Sequence, residues 1–137
     1  MDGLDCGLFE ISLTTDYHLN WEFIDYTIYS YSADIRESIC NALVGDGALI
    51  DAVDRKLGKE YSLITEQFIK GRNIDLIATH GQTIAHDDGV STQQIGDVQY
   101  LKKTFQVPII SNFRQADIKA GGNGAPLMPF LDWLLFK

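Results

Sequence analysis

Residues 111–129 read SNFRQADIKAGGNGAPLMP, and an apolar run, Val107-Pro108-Ile109-Ile110, leads into them. The run reads as a buried strand, so Asn112, Arg114 and Asp117 leave the end of a sheet and enter a glycine cluster, Gly121, Gly122 and Gly124. Polar groups at a strand end beside flexible backbone are where α/β proteins hold ligands. Clustered glycines lower backbone order, which a chain tolerates where the main chain takes positive φ or comes very close to another group. By composition alone the stretch also fits a glycine-rich connection before a helix begun by Pro126.

Working outward, Leu4 to Leu13 alternates like a strand with both faces largely covered, and Leu19 to Tyr31 alternates again. Thr14-Thr15-Asp16 supplies turn residues, which predicts an antiparallel hairpin whose second strand breaks near Asp25. At Ser32 the period becomes helical. Asp34 and Glu37 resemble a capping box, with a stripe of Ile35, Ile39 and Leu43 ending at Gly45. A second helix runs through Leu49, Val53, Leu57, Tyr61, Ile64 and Phe68 to Gly71, weakened and bent at Gly58. Ile74 to Thr79 is a short strand that delivers His80-Gly81-Gln82-Thr83. A turn at Asp87-Asp88-Gly89, a brief strand from Ser91 to Ile95 and a short helix on Val98, Leu101 and Phe105 come next. After the Val107 to Ser111 strand and the glycine cluster, a last helix runs through Leu127, Phe130, Leu131, Leu134 and Leu135. This order predicts an α/β fold, a mixed sheet with helices on both faces.

At 137 residues the chain has one domain's worth of sequence and can bury a real core. With 45% hydrophobic and 22% charged residues, disorder is not expected. A net charge of -8 argues against nucleic acid or an anionic membrane as the main partner, because nothing would neutralise a row of phosphates. A small molecule's phosphate is a different matter, since backbone amides can hold it without a basic surface. Cys6 and Cys40 sit in no metal-like spacing and read as buried free thiols. Neither an export signal nor an apolar run of about 20 residues is visible, which points to the cytoplasm.

The pattern Phe-Arg-x-x-Asp-Ile-x-Ala-Gly-Gly-x-Gly-Ala-Pro-Leu-x-Pro at 113–129 resembles the signature of the anhydro-N-acetylmuramic acid kinase family, sugar kinases on the actin-like ATPase fold. His80-Gly81-Gln82-Thr83 and Thr92-x-Gln94-Ile95-Gly96-Asp97 agree with it in order. The opening Met1-Asp2-Gly3-Leu4-Asp5 resembles the tail of that family's phosphate loop, Gly-Thr-Ser-x-Asp-Gly-x-Asp, without its Gly-Thr-Ser part. Asn112 stands where the family usually shows Asp, which removes a charge beside the site. The resemblance covers the whole chain and implies that residues 1–137 are the N-terminal lobe of such a kinase, truncated at both ends.

Read as chemistry, Asp117 is a candidate base, since a carboxylate beside a glycine loop can take a proton while nearby amides stabilise developing charge. Its bland roles are a helix N-cap or a salt bridge to Arg114. His80 can be a base, a donor to sugar hydroxyls or a satisfied core histidine. Gln82 and Thr83 suit hydroxyl recognition. Arg114 offers a fork for a carboxylate or a structural partner for Asp117. Asp97 and Gly96 either line the pocket or cap the next helix. His86 with Asp87 and Asp88 reads as a solvated turn, and no metal site is expected.

The resemblance assigns catalysis to Asp117, nucleotide binding to Asp2 and Gly3, and sugar binding to His80, Gln82, Thr83, Arg114, Gly121 and Gly122. It implies ATP and Mg2+ as cofactors, an amino sugar and ATP as small-molecule partners, and a homodimer as an open option. The implied reaction opens 1,6-anhydro-N-acetylmuramic acid and gives N-acetylmuramic acid 6-phosphate, a step of peptidoglycan recycling. The competing expectation is a non-catalytic lobe that acts as a sugar-binding or interaction module. Because the phosphate loop is cut and the second lobe is missing, the purified 137-residue chain is expected to transfer no phosphate to the anhydro sugar. A radiolabelled transfer assay checks this, and turnover free of contaminating kinase overturns it.

Overall fold

The computed structural model describes residues 3–14, 19–129 and 132. Strands β1 (Gly3–Leu13) and β2 (Leu19–Ser30) form an antiparallel ribbon in which Gly3 faces Ser30 and Leu13 faces Leu19. The register slips between Leu8, opposite Asp25, and Phe9, opposite Phe23, so Ile24 is the extra residue of a bulge where the sequence predicts a break. Leu4 and Cys6 pack against the core. The outer half of the ribbon does not match the expectation of two covered faces: Phe9, Ile11, Trp21 and Phe23 are each about half exposed, and Phe9 meets Trp21 and Phe23 as edge-to-face rings. Thr15 and Asp16 of the expected turn lie outside the described residues.

Helix α1 (Ala33–Ala42) starts at Ser32, whose backbone is extended and whose Oγ receives the Ile35 N–H at 3.2 Å. Asp34 already lies inside the first turn, so the expected Asp34/Glu37 box is not the cap. The buried stripe is Ile35, Ile39 and Ala42; the helix stops there, and Leu43 is exposed. Helix α2 (Gly47–Ile69) is capped by Asp46 through the Leu49 N–H at 2.9 Å and closes with Lys70 and Gly71 at positive φ. Its Val53, Leu57, Tyr61, Ile64 and Phe68 are buried as the spacing predicts. Complete burial of a side chain such as Leu57 stabilises the fold by about 1.5–3 kcal/mol.

The remaining strands are short. β3 (Ile77–Ala78) pairs in parallel with β6 (Ile109–Ile110), while β4 (Gln82–Asp87) pairs antiparallel with β5 (Ser91–Ile95). Among the described residues the strands thus form three two-stranded ribbons, a mixed α/β arrangement that lacks the expected single mixed sheet. Strand β4 is absent from the sequence reading because Gln82 to Asp87 has one large apolar residue, Ile84; the pairing to β5 is what extends it. Helix α3 (Gln99–Phe105) packs on α2 through Leu101 and a hydroxyl pair, Ser62 and Thr104, at 2.7 Å. Residues 127–129 are helical, as the last helix requires; Phe130, Leu131, Leu134 and Leu135 lie outside the described residues.

Gly58 has a different role from the predicted bend. It is buried, and a Cβ there would lie 2.8 Å from the Asp97 nitrogen and still closer to its carbonyl oxygen. Next to it, Asp54 takes the Gly96 N–H on its carboxylate at 2.7 Å and the Asp97 N–H on its carbonyl at 3.1 Å. Burial holds the Asp54 pKa above the ordinary carboxylate value, against the lowering effect of the Gly96 hydrogen bond. Gly96, at φ +119°, lies against the Tyr61 ring, where no Cβ would fit. The helix and the turn are therefore in main-chain contact.

Cys6 is a half-buried free thiol, pushed up to about 11 by burial and by the neighbouring Asp5 carboxylate. Cys40 is also free but exposed, contrary to the expectation of a buried thiol, because it faces away from the Ile35/Ile39 stripe.

Gly58→Ala tests the main-chain contact. Helix propensity favours Ala by about 1 kcal/mol, but the overlap is with backbone that cannot rotate away, so a net loss of about 1–3 kcal/mol is expected. Urea unfolding monitored by circular dichroism measures it, and an unchanged or raised midpoint overturns the assignment.

Candidate functional site

The parallel pair β3/β6 delivers two chain segments at the same end. Thr79 and His80 leave β3, Ser111 and Asn112 leave β6, and with Gln94 and Gly96 they line a small cleft of about 30 Å3. A larger cavity of about 150 Å3, between Leu4 to Leu8 and Ile74 to Thr79 over the α2 side chains Tyr61 and Phe68, holds none of the candidate residues. The carboxyl ends of parallel strands are the chemically relevant place, whatever the size of the second cavity.

Asn112 has φ 62°, a left-handed conformation that asparagine tolerates better than most residues, and it turns the chain out of β6. The chain then enters helix α4 (Phe113–Lys119), where the sequence suggests a polar segment running straight into glycines. The glycine loop is the end of this helix. Gly121 takes φ +90°, and the Gly121 and Gly122 N–H groups bond the Ile118 and Asp117 carbonyls, each at 2.9 Å.

Asp117, half-buried, bends its carboxylate into that loop. Its Oδ2 accepts the Gly124 N–H at 2.8 Å, and Oδ1 has no hydrogen bond among the described residues. A Cβ on Gly122 would lie 2.6 Å from Oδ1 and closer to Oδ2, so the missing side chain at 122 is the space the carboxylate fills. Neither bland role is realised: Asp117 caps no helix N-terminus and makes no ion pair with Arg114.

Arg114 reaches the other way. Its Nε donates to His80 Nε2 at 2.7 Å and its Nη1 to the Gly124 carbonyl at 3.1 Å, while Nη2 has no hydrogen bond among the described residues. A guanidinium only donates, so His80 Nε2 is an acceptor and its proton sits on Nδ1, which faces the Gly81 carbonyl at 2.9 Å. In this arrangement the basic nitrogen of His80 is occupied, and the residue orients Arg114. His80, Arg114, Gly124 and Asp117 therefore form one hydrogen-bonded chain from β3 to the glycine loop.

The other candidates stand apart from that chain. Gln82 and Thr83 lie half-buried on β4, where Gln82 Nε2 donates to the Thr83 carbonyl at 3.1 Å. Gln94, opposite Thr83, donates to Thr92 Oγ1 at 2.6 Å. Asp97 takes the Gln99 N–H at 2.9 Å ahead of α3, whose N-cap is Val98 with no side-chain cap bond, whereas Gly96 lines the cleft. Gly3 opens β1 opposite Ser30, and Asp2 lies outside the described residues. No group of three His, Cys, Asp or Glu side chains that could hold a metal occurs among the described residues. His86, expected in a solvated turn, is exposed but lies on β4, where a side chain on Gly124 would run into its ring; only the long-range return of β4 to the loop shows this.

A loop-held carboxylate and an arginine fork beside a strand end, in an α/β fold, have the chemistry to hold a small polar ligand. The profile of the anhydro-N-acetylmuramic acid kinase family matches residues 1–137, and the chain belongs to that family. It is 35% identical to the anhydro-N-acetylmuramic acid kinase of Francisella tularensis subsp. novicida, over all of this chain and 39% of that protein. Similar matches are to the kinases of a Bacillus cereus strain, at 33% identity over 38% of the protein, and a Bacillus anthracis strain, at 34% over 39%. The chain thus spans well under half the length of these curated relatives. No helix among the described residues is long and apolar enough to cross a membrane.

Gly122→Ala separates site geometry from folding. Gly122 lies outside the left-handed φ region, so Ala is tolerated by the backbone, and the overlap is with a short side chain that can rotate. Stability is expected to change by less than about 1 kcal/mol, while the Gly124 amide loses its carboxylate partner and exchanges faster. Amide exchange by NMR reads the second effect; unchanged Gly124 protection overturns it.

Proposed function

We propose that residues 1–137 form the N-terminal lobe of an actin-like sugar kinase whose complete protein opens 1,6-anhydro-N-acetylmuramic acid with water and phosphorylates the released 6-hydroxyl. The observation that carries this reading is the Asp117 carboxylate, held through Oδ2 by the Gly124 N–H with Oδ1 left open. Asp117 takes a proton from water as the water oxygen bonds the anomeric carbon and the bond from that carbon to the bridging 6-oxygen breaks. The freed 6-oxygen then takes the terminal phosphoryl group of ATP, and ADP leaves; positioning and charge neutralisation dominate such transfers.

Arg114, with Nη2 open, is suited to the lactyl carboxylate of the sugar, and its contact with His80 sets the fork's direction. Gln82 and Thr83 on β4 complete the sugar side in this reading, with Gly121 and Gly122 offering bare main chain that a sugar can approach closely, since their N–H groups already bond the Ile118 and Asp117 carbonyls. Asp2 and Gly3 belong to the nucleotide side. Magnesium arriving on the nucleotide needs only one or two carboxylates. In this reading Asp2 holds that magnesium through water, as the family resemblance implies. In the whole protein the three ribbons would belong to one mixed sheet with helices on both faces, working in the cytoplasm on recycled cell-wall sugar, as a monomer or homodimer.

A second reading, a non-catalytic lobe used as a sugar-binding or interaction module, draws on the exposed apolar residues of the β1/β2 ribbon. Calorimetry with the anhydro sugar, with and without nucleotide, discriminates the two.

In the full-length kinase Asp117→Asn is expected to abolish ring opening and leave sugar binding largely intact. The amide keeps an oxygen for the Gly124 N–H at nearly constant shape and loses only the base. Turnover should fall well over tenfold with the binding constant almost unchanged. Turnover within about twofold of the parent would place the base elsewhere.

A further inference from the structure

The Gly124 main chain is where the site converges. Its N–H holds Asp117 Oδ2 at 2.8 Å and its carbonyl holds Arg114 Nη1 at 3.1 Å. Gly124 has φ +85° and no side chain to fix it, so an outside contact must keep its orientation. That contact comes from β4: a Cβ at 124 would lie 2.9 Å from His86 Cε1, which puts the imidazole edge directly on Gly124, with Ile118 on the same side. The turn after β4 returns to the same loop, where the Gly89 N–H donates to the Asn123 carbonyl at 3.3 Å. His86 Nε2 lies 3.0 Å from Oδ1 of Asp88, a side chain that is 82% exposed.

We propose that His86 is a positioning residue of the site: with Ile118 it packs against Gly124 and holds the backbone conformation in which the Gly124 N–H meets Asp117 and the Gly124 carbonyl meets Arg114. The Gly124 N–H and carbonyl lie in the two peptide planes that flank its Cα, so a change of φ and ψ at this one residue would loosen both hydrogen bonds, and His86 and Ile118 both pack where that change would occur. The main-chain bond between Gly89 and Asn123 ties the residue before Gly124 to the same exposed turn, so it supports the loop from the side on which His86 packs. The inference rests on the reading that Asp117 and Arg114 act on the sugar, but the positioning contact can be tested separately.

The test uses full-length kinase with 15N-labelled glycine, comparing His86→Ala, His86→Phe and Asp117→Asn. His86→Ala is expected to speed Gly124 amide exchange, lower kcat about tenfold and raise KM, because base and fork are both misaimed. His86→Phe restores a flat ring against Gly124 without a nitrogen, so it should recover Gly124 protection and most of kcat. The proposal is overturned if His86→Ala leaves Gly124 exchange unchanged, whether or not kcat falls. Should His86→Ala not fold, folded His86→Phe decides: lost Gly124 protection there overturns it. Asp117→Asn with parental turnover would sink the reading of Asp117 as base, while the Gly124 exchange of the His86 variants would still decide the positioning contact.

Discussion

The main-chain contact between α2 at Gly58 and the turn at Gly96 and Asp97 is the constraint on which the rest of the lobe depends. Two glycines make it sterically available, one for the Asp97 backbone and one for the Tyr61 ring, and Asp54 closes it with hydrogen bonds to its carboxylate and its carbonyl. Such bonds contribute modestly when made but are costly when one buried partner is left alone, so the contact tends to be complete or absent. It fixes the end of β5 to the core helix, and β5 carries β4 by pairing. The ribbon that reaches the glycine loop thus inherits its position from the α2 core.

At the other end the site is organised by a second glycine group in which each member has a separate reason. Gly121 supplies a positive φ after α4, with nothing crowding its Cβ position. Gly122 has an ordinary φ and leaves room for the Asp117 carboxylate. Gly124 does both, turning the chain at positive φ and accepting His86 and Ile118 against its bare Cα. A carboxylate held this way is both a clasp on the loop and a chemical group with an oxygen to spare, so a structural role for Asp117 is compatible with the proposed catalytic one.

Much of the outer framework is legible in the chain itself. The β1/β2 hairpin with its break near Asp25 and the apolar stripes of α1 and α2 arise from period and turn chemistry, which are local. The candidate site is legible as a region because its residues crowd into one motif. Its wiring is not: Arg114 reads as a partner for Asp117 three residues away, whereas it bonds His80, 34 residues distant. Helix α4 is hidden because seven residues show too little periodicity, and the glycines that end it read as flexible loop.

The sequence by itself determined the α/β character, the long helix and its buried face, and the crowding of Asn112, Arg114 and Asp117 into one segment after a strand. It did so because hydrophobic spacing and glycine placement act over a few residues. Only the tertiary structure decided that Gly58 is a point of contact and no bend, that Asp97 takes the Gln99 N–H ahead of α3, that Ser32 and not Asp34 starts α1, and that His86 packs beside Gly124. These depend on which backbone atoms from distant segments come within about 3–4 Å of one another, a relation that side-chain period does not encode.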